Sequence, residues 1–272
     1  MRKQVMVKTL LMFFTIISIS FPSCSKEDNT TAPDDSISDI PGYTLVWSDE
    51  FNANNIDLTK WSYEVNGDGG GNNELQYYTA LPTNSFIENG SLVIQARKEN
   101  YNGKEYTSAR MRTLIKGDWT YGRFEIRAKL PYGQGLWPAI WMLPSDWEYG
   151  GWPISGEIDI MEELGQEPYK VYGTIHYGTS TDHQQSGGAY QLSSSTFAAD
   201  YHIFSLEWDS TGMKWYVDGY EYFSANHGKP FDKRFHILLN VAVGGNWPGS
   251  PNNVTSFPQK MYVDYVRVYK KN

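Results

Sequence analysis

The sequence predicts an all-β sandwich of antiparallel strands, and three observations predict it. From Tyr43 onward, short segments alternate apolar and polar residues with period two, the spacing that sends successive side chains to opposite faces of a strand. Gly, Pro, Asn and Asp punctuate those segments at short intervals. Helical periodicity is scarce, and no strand–helix alternation runs along the chain, so a parallel α/β sheet is excluded.

Each element follows from its own pattern. Asp57 to Trp61 is expected to form one turn. Ser91 to Arg97 places Leu92, Ile94 and Ala96 on one side of a strand. In Phe124 to Leu130 the apolar set takes one face and the charges the other. Lys214–Val217 and Tyr220–Phe223 flank Asp218-Gly219, the strongest two-residue hairpin signal in the chain. His236 to Val243 is nearly continuous in apolar residues and reads as a strand buried on both faces. Met261 to Tyr269 supplies a closing strand. No internal repeat or second linker interrupts 42–272, which reads as one domain.

Composition narrows the function. The 272 residues include 10 Trp, 20 Tyr and 12 Phe, enough to build a large core and to leave rings for stacking on sugars or bases. Net charge is −8 and no basic patch dominates, so nucleic acid is not an expected partner. A single Cys excludes an intrachain disulfide and a cysteine-built zinc site.

The N-terminus reads as an address. Arg2, Lys3 and Lys8 form a positive head, and Thr9–Phe21 an apolar run too short for a comfortable membrane span. Phe21-Pro22-Ser23-Cys24 resembles a bacterial lipoprotein cleavage site, with residues 1–23 removed and Cys24 carrying lipid; ordinary secretion is the competing reading. Ser25-Lys26-Glu27-Asp28 resembles the acidic signal that sends some Gram-negative lipoproteins to the cell surface. Residues 24–41 are polar and read as a flexible tether. Loss of the three basic groups of the leader takes the net charge from −8 to −11, which suits an uncharged substrate. The mature protein is expected to be a monomer that meets a membrane only through its lipid.

The chemistry concentrates in Gly156-Glu157-Ile158-Asp159-Ile160-Met161-Glu162-Glu163. On a regular strand Glu157 and Asp159 share a face and Glu162 points away from it. One extra residue at Ile160-Met161, a β-bulge, returns Glu162 to that face and leaves Glu163 on the other. The Cα atoms of Glu157 and Glu162 then lie about 13 Å apart, and side chains leaning together bring the carboxyls to roughly 5 Å. A separation of about 5–5.5 Å belongs to retaining glycosidases. A solvated strand face is the plain alternative, but three convergent acids repel one another and destabilise a sheet. Calcium binding is the other alternative.

Here the sequence resembles glycoside hydrolase family 16, in its laminarinase-like (β-1,3-glucanase) branch. The resemblance rests on Glu157–Glu162 and extends to Val46–Phe51, Asn73–Tyr78, Trp137–Pro144, Gly244–Gly249 and Val263–Tyr269. It implies a β-jelly-roll of two curved antiparallel sheets with a concave sugar-binding cleft. It implies Glu157 as nucleophile, Glu162 as acid/base and Asp159 as supporting acid, with no cofactor for the chemistry. Asn73, Glu74 and Arg110 would contact sugar hydroxyls in the negative subsites, although Arg110 equally suits an ordinary ion pair. Trp137, Trp141 and Trp247 would stack on sugar rings, with Trp141 beside the cleaved bond; core packing is the competing reading for the first two. His176 would serve the leaving-group side. A structural Ca²⁺ on the convex sheet would use the carbonyls of Glu50 and Gly90 and the side chain of Asp264. The expected activity is endo-cleavage of laminarin-like β-1,3-glucan, extending to mixed-linkage glucan. A galactan substrate, or a glucan-binding lipoprotein without activity, are the alternatives.

Overall fold

The computed structural model describes Met1 and residues 40–272. The expected leader, Cys24 and the tether as far as residue 39 lie outside the described residues.

Eighteen strands and no α-helix occur among the described residues. The first six are β1 (Tyr43–Asp49), β2 (Ser62–Glu64), β3 (Gln76–Tyr78), β4 (Ser85–Glu88), β5 (Ser91–Tyr101) and β6 (Lys104–Ser108). Then come β7 (Arg110–Arg112), β8 (Asp118–Trp119), β9 (Gly122–Lys129), β10 (Leu136–Pro144), β11 (Glu157–Glu163) and β12 (Lys170–Gly178). The last are β13 (His183–Gln191), β14 (His202–Asp209), β15 (Gly212–Val217), β16 (Tyr220–Ala225), β17 (Phe235–Val243) and β18 (Gln259–Lys271).

They form two sheets. A ten-stranded sheet runs β16-β15-β14-β9-β18-β5-β6-β3, with β1 added to β18 and β4 to β5. An eight-stranded sheet runs β13-β12-β11-β10-β17-β7-β2, with β8 added to β17. Every pairing is antiparallel except β3 with β6. This is the jelly-roll sandwich, and it closes because period-two strands supply one apolar face each. Leu92, Ile94 and Ala96 of β5 and Phe124, Ile126 and Ala128 of β9 all belong to the common core. All nine residues of β17 are buried, as its apolar run predicts for a strand in mid-sheet. Asp218 and Gly219 have φ of 49° and 80°, the left-handed pair that a tight hairpin between β15 and β16 requires. The Asp57 turn forms too, with the Lys60 and Trp61 amides bonding the Asp57 carbonyl.

Candidate active site

The bulge in β11 is present where the carboxylate spacing required it. Asp159 faces Thr174 of β12 and Glu162 faces Tyr172, so Ile160 and Met161 together stand opposite Gly173. On the β10 side Trp141 faces Asp159 and Ile140 faces Met161, which skips Ile160. Two features hold the distortion. The Trp215 indole, reaching across from β15, donates to the Asp159 carbonyl at 2.8 Å. Gly173 gives that indole room, since a Cβ there would sit 2.5 Å from Trp215 Cδ1 and 2.5 Å from the Tyr222 hydroxyl. The bulge leaves backbone polar groups outside the ladder, and a buried one needs a partner from elsewhere.

Glu157, Asp159 and Glu162 thus share one face, with Trp137 and Trp141 beside them on β10. An indole attends each glutamate: Trp152 Nε1 donates to Glu157 Oε2 at 2.7 Å and Trp137 Nε1 to Glu162 Oε1 at 3.0 Å. His176 is the register partner of Glu157. Its Nε2 lies 3.2 Å from Asp159 Oδ2, and Asp159 is only 2% exposed. No Lys or Arg among the described residues pairs with any of the three acids.

Burial without a cation sets the proton balance. Glu157 is pushed up to about 8, by desolvation first and by the Asp159 charge next, against the pull of His176 and the Trp152 N–H. Asp159 is pushed up to about 7 by desolvation, with its hydrogen bond to Glu157 opposing. Glu162 is driven well above the ordinary glutamate range by desolvation, then by the charges of Asp159 and Glu157. The group therefore cannot ionise fully near neutrality. Glu157 and Asp159 oppose one another's ionisation, and Glu162, raised by both of their charges, is the natural holder of a proton. That division gives one carboxylate for attack and one acid for donation.

The remaining expected residues fall into three groups. Trp247 projects from the loop after β17 at 41% exposure and meets Trp137 edge-on at 5.6 Å and Tyr172 at 5.0 Å. Asn73, with φ of 58°, ties its own loop to that one through a 2.9 Å bond to Asn246. Glu74 and Arg110 are buried and engaged with one another. The Glu74 carboxylate receives Gln76 Nε2 at 2.6 Å, the Tyr78 hydroxyl at 3.0 Å and Arg110 at 3.4 Å. Arg110 also reaches Glu64 and stacks on Tyr78 and Trp141, the ion-pair arrangement anticipated as one of its two readings. This knot backs Trp141, whose Nε1 is fixed separately by Asn240 Oδ1 at 2.7 Å.

Sequence reasoning missed Trp152, Asn240, Tyr172 and His183. Trp152 was within reach: like Trp247 in Gly244–Gly249, it is an indole among Gly and Pro, between Gly151 and Pro153, where a core role is uncommon. Glu163 does face away, and it is fully buried with neither carboxylate oxygen hydrogen-bonded among the described residues.

The profile of Glycosyl hydrolases family 16 matches residues 73–267, most of the chain and all of this site. The chain belongs to glycosyl hydrolase family 16. A beta-glucanase of Rhodothermus marinus is 42% identical over 287 residues, covering 98% of this chain and 96% of its own length. The laminarinase catalytic domain of Thermotoga maritima superposes with a TM-score of 0.78 at 46% identity, covering 85% of this chain and 99% of that one. A keratan-sulfate endo-1,4-beta-galactosidase of Sphingobacterium multivorum is 39% identical over 240 residues, 84% of this chain and 55% of its own length.

Proposed function

We propose that this family 16 chain is a retaining endo-β-1,3-glucanase that cleaves internal linkages of laminarin-like glucans and accepts mixed-linkage β-1,3-1,4-glucan as a second substrate. One observation carries the mechanism: the bulge puts Glu157 and Glu162 on one face with Asp159 between them. The similarity to a beta-glucanase and a laminarinase supports the substrate. In the first step the Glu157 carboxylate attacks the anomeric carbon while Glu162 gives its proton to the departing oxygen. Asp159 steadies Glu157 as its oxygen bonds the anomeric carbon, and the negative charge passes to Glu162 as that residue loses its proton. In the second step Glu162 takes a proton from water, which displaces Glu157 and restores the original configuration. Trp137, Trp141 and Trp247 offer indole faces to pyranose rings along the cleft, and Asn73 sits on the adjoining loop.

Incubation with laminarin tests this. New reducing ends should appear with a rapid fall in mean chain length, and NMR of the first products should show the β-anomer. Absence of new ends would leave a glucan-binding protein. Cleavage of a β-galactan but not of laminarin would move the chain toward the specificity named for its Sphingobacterium relative.

The structural calcium belongs to the same proposal. The residues fit: β1 and β5 pair with successive stretches of the side of β18 away from β9, with Val266 facing Asp49 and Val263 facing Leu92, so Asp264 runs level with Glu50 and Gly90. A Cβ at Gly90 would lie 3.9 Å from the Asn52 side chain, which brings the turn after β4 to the segment after Glu50. The carbonyls of Glu50 and Gly90 and the Asp264 carboxylate would hold the ion, although Asp264 Oδ2 already meets Arg127 at 2.6 Å. Chelation should lower the melting temperature and leave the initial rate on laminarin unchanged. Export and lipid attachment at Cys24 rest on the leader sequence, and Cys24→Ala should release the protein from host membranes.

A further inference from the structure

His183 is exposed on β13, yet it joins the acids through a directional chain. The register sets Gly178 against His183 and His176 against Gln185, so His176 and His183 are diagonal neighbours on one face. His176 Nδ1 lies 2.9 Å from His183 Nε2, and the two rings stack at 5.1 Å. His176 Nε2 lies 3.2 Å from Asp159 Oδ2, a buried oxygen without a hydrogen-bond partner among the described residues. Trp152, the donor to Glu157, packs on His183 at 4.7 Å and on His176 at 6.2 Å. A neutral imidazole has one N–H and one bare nitrogen, and the partner of one nitrogen fixes the role of the other.

We propose that His183 is a positioning residue whose Nε2–H, donated to His176 Nδ1, locks His176 in the tautomer that carries its proton on Nε2, aimed at Asp159. The chain of donation then runs from His183 to His176 and ends at Asp159, the neighbour of Glu157 on the same face. Desolvation and the neighbouring His176 lower the His183 pKa, while Asp182 beside it opposes, so His183 stays neutral and retains both a donor and an acceptor. Besides Asp182, the acids beside the pair are Asp159 and Glu157.

The inference rests on the retaining-hydrolase reading for its kinetic consequence, so the test has two arms. His183→Gln keeps an N–H at the position of Nε2; His183→Phe keeps the ring against Trp152 and loses the donor. On laminarin His183→Phe should lose about fivefold to tenfold in kcat/KM, mostly in kcat, and His183→Gln should stay within about twofold of the parent. In long-range ¹H–¹⁵N spectra, where 5 histidines make assignment tractable, His176 Nδ1 should be unprotonated in the parent and in His183→Gln and partly protonated in His183→Phe. Equal kinetics for the parent and His183→Phe would overturn the proposal. So would losses of equal size in both variants carried by KM, the mark of ring stacking on substrate, or an unchanged His176 signal in His183→Phe. If the parent makes no reducing ends, the hydrolase reading fails while the spectra still decide the tautomer.

Discussion

The two sheets of this sandwich treat acidic residues in opposite ways. On the ten-stranded sheet acids are matched to cations: Glu125 and Glu207 share Arg123, Glu50 pairs with Arg267, and Glu88 pairs with Lys260. On the eight-stranded sheet Glu157, Asp159 and Glu162 crowd one strand with only indole donors and a histidine for company. A cation beside an acid offsets its charge and helps to hold strands in register. An unpaired buried acid gives up part of its charge, and that lost charge is what catalysis uses. The Arg110–Glu64 pair, between β7 and β2, shows that the same sheet can pair its acids where no chemistry is asked of them.

The contrast can be sharpened from its strongest element downward. Glu157→Ala and Glu162→Ala should each cut turnover on laminarin by about a thousandfold or more, with the fold intact by circular dichroism. Gly173→Ala comes next, because its methyl group would collide with the Trp215 and Tyr222 atoms that frame the bulge. It should cost about 1–3 kcal/mol in stability, typical of overpacking, and lower kcat well beyond what partial unfolding explains. Denaturant titration beside initial rates measures both.

Glu163 tests the other face of the same strand. Burial alone drives its carboxyl well above the ordinary value of 4.5, so the folded chain keeps a proton that the unfolded chain gives up as pH rises past that value. A raised carboxyl makes the folded state the better proton binder, and stability therefore declines with increasing pH through that window. Glu163→Met, close in shape and without charge, should raise the melting temperature more at pH 8 than at pH 5 and leave kcat on laminarin unchanged. The pH slope it removes is at most about 1.4 kcal/mol per unit, the limit for one proton. An equal gain at both pH values would show that Glu163 finds a partner in solution. Smallest of all, Glu88→Gln on the ten-stranded sheet should change stability by about 1 kcal/mol or less and activity not at all.

Much of this was legible in the sequence because period two is a strict rule. Parity along β11 required a bulge for Glu162 to join Glu157, and the same parity turned Glu163 inward. The continuous apolar run of β17 marked a strand buried on both faces. What stayed hidden depends on contacts between segments distant in sequence, or on loops that fold back. The Arg110–Glu74 pair needs β7 set beside the loop that precedes β3, and His183 needs the β12–β13 register. The charged face of β9 also reads as solvated, yet Glu125 is 7% exposed, covered by Arg123 and the Tyr265 hydroxyl. Alternation tells which face a residue takes, not what lies over that face.

The central claim is that one bulge assigns two chemical roles to two glutamates, and azide rescue reads those roles directly. With an activated β-glucoside, azide entering the space left by Glu157→Ala should displace the leaving group once and yield the α-glycosyl azide. In Glu162→Ala the covalent intermediate still forms when the leaving group needs no protonation, so azide in place of water should yield the β-glycosyl azide. Opposite anomers from the two variants are the expected result. The same anomer from both, or the α product from Glu162→Ala, would contradict the assignment of nucleophile and acid across the bulge.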